Sequence, residues 1–274
     1  MGVRSHPRNE TTEPGYLGDR SVINQVWLND ADLLRGDFER ANPFPHVVLD
    51  EFFKPTLAEA LIREFPSASE MSRTRDYLFG NKLAMANVSH AGPTSASLRK
   101  ALLAESFREF LSRATGHNVF VDPEFVGGGF HAGGDGSFLD LHVDFNLHPN
   151  HDRWLRTLNV LVYLNPNWCE EYGGHLLITG HPSDSPLAIE PKFNRAVIML
   201  TGDETFHGYQ RMNLPPGVTR KLLAIYAYRM TDEDEAPPPR TTHWYPRGGT
   251  LGKRTLAALY NRAEIRFTRR VSDV

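Results

Sequence analysis

The sequence predicts a mainly β protein with flanking α-helices, folded as a double-stranded β-helix, the cupin-like jelly roll. Three observations carry this. Six extended runs separated by turn residues follow one another at 120–130, 138–144, 157–164, 175–179, 196–200 and 218–229, the pattern of a double-sheet jelly roll. Helical periodicity precedes them, which fits helices packed against one sheet. Within 157–164, Leu158, Val160, Val162 and Leu164 form one wholly apolar face and Asn159, Leu161 and Tyr163 the other, as the period-two alternation of a strand requires.

Taken in order, residues 1–20 are polar and aperiodic and are expected to be a flexible tail. A short amphipathic helix follows at 30–39, stops near Asn42-Pro43 and leads into the extended run 46–50. Residues 56–65 carry Leu57, Leu61 and Phe65 at i, i+4 and i+8, a helix ended by Pro66. The stretch 67–94 is irregular, polar and long, with Tyr77, Phe79 and Met85 spaced through it. Loops of that length commonly serve as lids, so this one is expected to fold over a pocket mouth. One helix is expected over 95–113, with Leu98, Ala101, Leu102, Phe107, Phe110 and Leu111 as its apolar stripe and Gly116 beyond its end. The helical support thus runs over 21–119 and the jelly-roll core over 120–230. Asp232 to Glu235 and Pro237 to Pro239 then mark a stiff, solvated linker at 231–249. The basic segment 250–274 reads as an amphipathic helix whose stripe, Leu256, Leu259, Ala263 and Phe267, docks on the core.

Composition bounds the function classes. A chain of 274 residues, 40% hydrophobic, can bury one sizeable core. A net charge of -3 and a pI near 6.5 give no electrostatic footprint for nucleic acid. Cys169 is the single cysteine, so there is neither an intrachain disulfide nor a thiolate cluster. Without an apolar h-region near the N-terminus or any run of 18 apolar residues, a cytoplasmic protein with no stable membrane insertion is expected, monomeric or homodimeric.

The chemistry points to His142, Asp144 and His207. Two imidazoles and a carboxylate can hold Fe(II) facially and leave three positions open. His142 and Asp144, two apart in an extended run, project to one face, and His207 would arrive from a distant strand. Alone the triplet is weak: with 12 His in the chain, roughly 0.7 His-x-Asp triplets are expected by chance. Its context adds force. RTLNVLVYLN at 156–165, GGHLLI at 173–178, IEPKFNR at 189–195, His207 and TRKL at 219–222 follow in order. Over roughly 126–230 this set resembles the 2-oxoglutarate and Fe(II)-dependent dioxygenases. It is closest to their prolyl-hydroxylase-like branch, which includes the hypoxia-inducible-factor prolyl hydroxylases.

The resemblance implies a dioxygenase domain over 21–230 that uses Fe(II), 2-oxoglutarate and O2, with ascorbate in a supporting role. It also implies hydroxylation of an unactivated C–H bond with release of succinate and CO2. Arg220, 13 positions after His207, would pair with the distal carboxylate of 2-oxoglutarate, a task suited to a planar bidentate fork. Tyr163 would share that carboxylate, and Asn159, on the same strand face, is a further candidate cofactor contact. Four residues are candidate substrate contacts. Asp140 and Tyr226 share strand faces with His142 and Arg220 respectively. His131 or Phe130 stands where the branch has Tyr, and Tyr77 lies in the lid. A carboxylate at 144 argues against halogenation, since halogenating relatives carry a small residue there. His148 and His151 flank an Asn/Pro turn and read as loop residues; His175 and His181 read as structural or surface residues. The leading expectation is a hydroxylase of a prolyl or other amino-acid or peptide substrate. A tailoring oxygenase acting on a small secondary metabolite is the alternative, and a non-catalytic jelly-roll sensor of a ligand or metal stands third.

Overall fold

In the computed structural model, which describes residues 22–73, 78–248 and 250–271, helices α1 (Gln25–Asn29) and α2 (Ala31–Arg40) lead into strand β1 (His46–Leu49) and helix α3 (Pro55–Arg63). Then come β2 (Ser72–Arg73), β3 (Leu83–Met85), α4 (Pro93–Leu102) and α5 (Glu105–Thr115). The β-rich part begins with β4 (Phe120–Val121), β5 (Gly129–Gly133), β6 (Leu139–Val143) and β7 (Leu147–His148), followed by the long β8 (His151–Tyr163). It continues through β9 (Leu176–Thr179), β10 (Leu187–Ile189), β11 (Arg195–Leu200), β12 (Phe206–Tyr209) and β13 (Arg220–Met230). Strand β14 (His243–Trp244) and helix α6 (Leu251–Val271) complete the described chain.

Two antiparallel sheets result. The larger has the order β1-β11-β8-β13-β5-β3-β2, with β4 on β13 and β7 on β8; the smaller is β10-β9-β12-β6-β14. Most neighbours are non-consecutive in the chain, the mark of a jelly roll. Strand β8, between β11 and β13 inside the larger sheet, expresses the predicted alternation. Leu158, Val160, Val162 and Leu164 enter the main core with Leu34, Phe38 and Phe110 of the helices. Leu161 and Tyr163 face the other way and meet Leu176 and Ile178 of the smaller sheet in a second core. The helices therefore back one sheet, and the second sheet closes over its opposite face.

Local sequence explains most element ends. Helix α3 starts at Pro55, where the missing N–H is no loss, and α5 ends at Gly116 with φ 76°, the left-handed cap glycine favours. The single helix expected over 95–113 is two helices, because Ala104 is extended (φ -77°, ψ 153°) between them. Buried Leu98 and Leu102 are four apart, but the next buried residue, Phe107, is five further on. That step falls out of helical phase, so α4 and α5 bury different faces. The run expected over 120–130 is also interrupted. Asp122 turns the chain by accepting hydrogen bonds from the amides of Glu124 (2.8 Å) and Val126 (2.6 Å).

Part of the stretch 67–94 is sheet rather than lid, since β3 pairs with β5. Residues 1–20 and Tyr77 lie outside the described residues. The segment expected to be a linker contributes β14, which pairs with β6. Among the described residues, no helix is long and apolar enough to cross a membrane.

Helix α6 docks, but on a different face from the one expected. Ala257 and Asn261 are buried, whereas Leu256 (50%) and Leu259 (56%) are exposed, as is Ala263. The side chain of Phe267 is outside what the structure describes. Asn261 brackets Trp244, accepting from its amide and donating to its carbonyl, both at 3.0 Å. Polar complementarity to the outer edge of β14 outweighs the apolar stripe here. Asn261→Ala, which strips both partners from Trp244, is expected to cost about 1–3 kcal/mol, whereas Leu259→Ser should change stability by less than about 0.5 kcal/mol. Urea unfolding of the two variants, read side by side, checks this.

Candidate metal centre and its pocket

Pairing of β6 with β12 sets His142 directly opposite His207, at the separation where cross-strand side chains touch. Gly208, next to His207, lets the strands approach: a Cβ there would lie 2.5 Å from the carbonyl oxygen of Leu139. Asp144 follows the end of β6. One donor atom from each of His142, Asp144 and His207 can be chosen so that all lie within 4.8 Å of one another. His142 Nε2 is 3.6 Å from Asp144 Oδ1, and His207 Nε2 is 3.2 Å from Asp144 Oδ2. Each imidazole has its Nδ1 at a backbone carbonyl, Asp140 for His142 (2.9 Å) and Thr205 for His207 (3.2 Å). An Nδ1–H donating there leaves the Nε2 lone pair free to ligate. The donor set and its tautomers fit a divalent metal with open positions.

The carboxylate is held from behind. Arg156 Nη2 lies 2.9 Å from Asp144 Oδ2, and Asn159 Nδ2 donates to the same oxygen at 2.9 Å. Asn159 Oδ1 in turn accepts from Arg156 Nε and Nη2. The guanidinium sits 3.4 Å from the Tyr226 ring centroid and 4.6 Å from that of Phe145. Burial alone would raise the Asp144 carboxyl, but the charge of Arg156 and the hydrogen bonds of the two imidazoles hold it well below the usual carboxylate range. Burial keeps His142 low, reinforced by His207 and opposed by Asp144. The Asp144 carboxylate and the neutral His142 imidazole thus stand in the protonation a metal requires.

Residues 128–228 match the 2OG-Fe(II) oxygenase superfamily. That segment is a 2OG-Fe(II) oxygenase domain. Among solved structures, a Pseudomonas putida prolyl-4-hydroxylase is 17% identical, covering 73% of this chain and 100% of that one, with TM-score 0.55. A Trichoplax adhaerens prolyl hydroxylase, solved with a hypoxia-inducible-factor oxygen-degradation-domain peptide, is 16% identical over 75% and 93%, with TM-score 0.54. A prolyl 4-hydroxylase from Phytophthora capsici is 16% identical over 94% and 78%, also at 0.54. At such identities the likeness is one of fold, a double-stranded β-helix. A search of curated proteins returns no match. Members of the superfamily use Fe(II), 2-oxoglutarate and O2, and this domain is a dioxygenase of that kind.

The oxygenase pocket is a cavity of about 260 Å³ with His142, Asp144 and His207 in its lining. Arg220, from the start of β13, also lines it. Its Nε donates to the Gly174 carbonyl (2.7 Å) and its Nη2 to the Tyr163 hydroxyl (3.3 Å), while its guanidinium lies 4.3 Å from the Tyr209 ring centroid. Gly174 has φ 66°, and a Cβ there would press on the Arg220 stem at 3.1 Å, so the turn that aims its carbonyl at Arg220 requires glycine. Tyr163, Leu222, Ala224 and Tyr226 line the pocket too, on the faces that alternation assigns them.

Two expected contacts sit differently. Asp140 does not line the cavity; its carboxylate pairs with Lys253 of α6 at 2.6 Å. Leu139 and His142 stand opposite Tyr209 and His207, so β6 carries one extra residue, and such a bulge reverses the alternation. Asn159 lines the pocket, but its amide is engaged with Asp144 and Arg156. His131 lines the cavity, with Nε2 3.2 Å from the Gly127 carbonyl and Nδ1 3.3 Å from Lys82 Nζ. The buried pair of His148 and Asp122 (3.3 Å) lies apart from the cavity lining.

Sequence reasoning missed Arg156, Lys82, Tyr209 and Trp244. Arg156 heads a quoted motif but has the wrong parity for the pocket face. A bulge puts it there: Leu158 opposes Ala227 and Arg156 opposes Tyr228, leaving Thr157 as the extra residue. Lys82 and Trp244 come from stretches read as lid and linker. Loss of a group that orients a ligating carboxylate typically costs 10–100-fold in metal affinity, so Arg156→Met is expected to weaken Fe(II) binding by about that factor. Anaerobic calorimetry with Fe(II) measures it, and an unchanged affinity would show that Asp144 needs no such support.

Proposed function

We propose that His142, Asp144 and His207 hold Fe(II), and that Arg220 with the Tyr163 hydroxyl binds the distal carboxylate of 2-oxoglutarate. On this reading the domain hydroxylates an unactivated C–H bond of an amino-acid or peptide substrate, a prolyl residue being the leading case. The observation that carries the reading is one cavity lined both by three converging ligand side chains and by a buried arginine braced by a tyrosine. Bound together, Fe(II), 2-oxoglutarate and O2 supply the oxidation, releasing succinate and CO2.

The chain's own residues bind, orient and exclude. Arg220 offers a guanidinium already fixed by Gly174, so little side-chain freedom is lost when a carboxylate arrives. The Tyr163 hydroxyl stays protonated, because burial raises its pKa despite Arg220, and can donate to the same group. Arg156 and Asn159 orient the Asp144 carboxylate. Leu161, Leu176 and Leu222 give the cavity wall apolar surface. A cavity of about 260 Å³ is below the usual range for drug-sized ligands. It fits a small substrate or one inserted side chain beside the cosubstrate, which keeps a tailoring oxygenase of small metabolites as the second reading.

Two outcomes are expected. His142→Ala, Asp144→Ala and His207→Ala should each abolish succinate formation; more than about a tenth of wild-type turnover, a loss of only ~1.4 kcal/mol, would remove that residue from the ligand set. Arg220→Ala removes one partner of a buried charged pair, worth about 2–5 kcal/mol, so 2-oxoglutarate affinity should fall roughly 30-fold or more. Arg220→Lys should lie between, and Tyr163→Phe should cost about 0.5–1.5 kcal/mol. Titration of 2-oxoglutarate into anaerobic Fe(II)-loaded protein, by calorimetry and by the visible charge-transfer band of the chelate, reads all three. Wild-type protein that gives no band would overturn the assignment.

A further inference from the structure

Two of the three ligand side chains are braced from within the oxygenase segment. Asp144 is held by Arg156 and Asn159 of β8. His207 leans on the Thr205 carbonyl, and the Thr205 hydroxyl is tied in turn to the amide and carbonyl of Gly202. The contacts behind His142 lead elsewhere, to helix α6, which begins after the matched segment ends at residue 228.

One path runs through Trp244. Strand β6 lies between β12 and β14, so His207, His142 and Trp244 stand in one row across the smaller sheet. The His142 ring has the His207 ring at 4.2 Å toward β12 and the Trp244 ring at 4.9 Å toward β14, the reach of cross-strand neighbours. Trp244 is itself fixed twice. Its ring stacks on Phe79 with centroids 5.3 Å apart at 18°, and its amide and carbonyl are both bonded by the buried Asn261 of α6.

The second path runs through Asp140. Where β12 has Gly208 alone between His207 and Tyr209, β6 has both Asp140 and Leu141, and a bulge of this kind interrupts the ladder. The interruption falls directly before His142. The Asp140 carbonyl accepts from His142 Nδ1 at 2.9 Å, and its carboxylate meets Lys253 of α6 at 2.6 Å, with both side chains largely buried. Lys253 Nζ also lies 4.8 Å from the Phe138 ring centroid. The residue that orients the His142 imidazole is therefore anchored to α6 at the point where sheet pairing is weakest.

We propose that Lys253 and Asn261 of helix α6 are positioning residues for the metal centre, fixing the His142 ring through Asp140 and Trp244 respectively. The inference rests on the assignment of His142 as a metal ligand. Neither Lys253 nor Asn261 lines the cavity, so each acts through the residue it holds. Groups that orient a ligating imidazole from behind typically change metal affinity 10–100-fold when removed.

The test titrates Fe(II), and Co(II) as a spectroscopic probe, anaerobically into the full-length protein well below its unfolding temperature. Lys253→Met and Asn261→Ala should each weaken both metals by about tenfold or more and shift the Co(II) d–d absorption. Removing a cation by itself favours a divalent ion, so a loss of affinity in Lys253→Met reports geometry rather than charge. Lys253→Arg should stay within about threefold of wild type, as should Leu259→Ser on the exposed face of the same helix. A merely structural role for α6 would lower the melting temperature and leave affinity and spectrum of the folded protein unchanged. Wild-type affinity in either Lys253→Met or Asn261→Ala would therefore overturn the proposal, and so would an equal loss in Leu259→Ser. If Asn261→Ala does not fold, Lys253→Met decides alone. Wild-type protein that binds neither metal, or a His142→Ala variant that binds as tightly as wild type, fails at the ligand assignment instead, which separates the two failures.

Discussion

A carboxylate at the floor of a buried pocket is the constraint from which most of this structure follows. Asp144 is nearly inaccessible, and an ionised carboxylate there would be prohibitively costly without compensation. Arg156 supplies the charge and Asn159 the hydrogen bond. Both sit on β8, the strand whose other face is the main core, so the centre is mounted on an interior strand of the larger sheet. Arg156 is in turn clasped between Tyr226 and Phe145. Removing Arg156 leaves the Asp144 charge uncompensated in a buried place, the situation in which buried pairs matter most.

The two sheets divide the work around that floor. The smaller one, through β6 and β12, contributes the imidazoles and sets their spacing by register. The larger one, through β8 and β13, contributes the groups that hold the carboxylate and the arginine assigned to the cosubstrate. Neither sheet alone forms the site. The geometry depends on the second hydrophobic core, where Leu161, Tyr163 and Leu222 pack against Leu176 and Ile178. The wall of the pocket is thus also a structural seam, and changes to its apolar residues act on both.

What was legible in the sequence was whatever obeys a simple period. The faces of β8 and β13, the helix of 30–39 and the pairing of His142 with Asp144 all follow alternation or a 3.6-residue repeat. The misassignments share a cause, a local departure from the period. One extra residue in β6 turns Asp140 away toward Lys253, and one extra residue in β8 turns Arg156 inward. Both depend on which residue stands opposite, which one strand's sequence does not state. Helix α6 escaped for a related reason: its docking is decided by two hydrogen bonds to Trp244, a feature of the receiving strand rather than of the helix's own apolar pattern.

Trp244 and Lys82 come from opposite sides of the oxygenase segment, one after residue 228 and the other before residue 128, and the stack of Trp244 on Phe79 ties these two stretches together across the pocket. The reacting floor and this part of the wall therefore belong to separate lengths of chain. Drift in the outlying stretches can remodel what the pocket admits while the inner strands, with their register and buried charges, stay as they are. The flanks are where chains sharing this floor are free to diverge in what they accept.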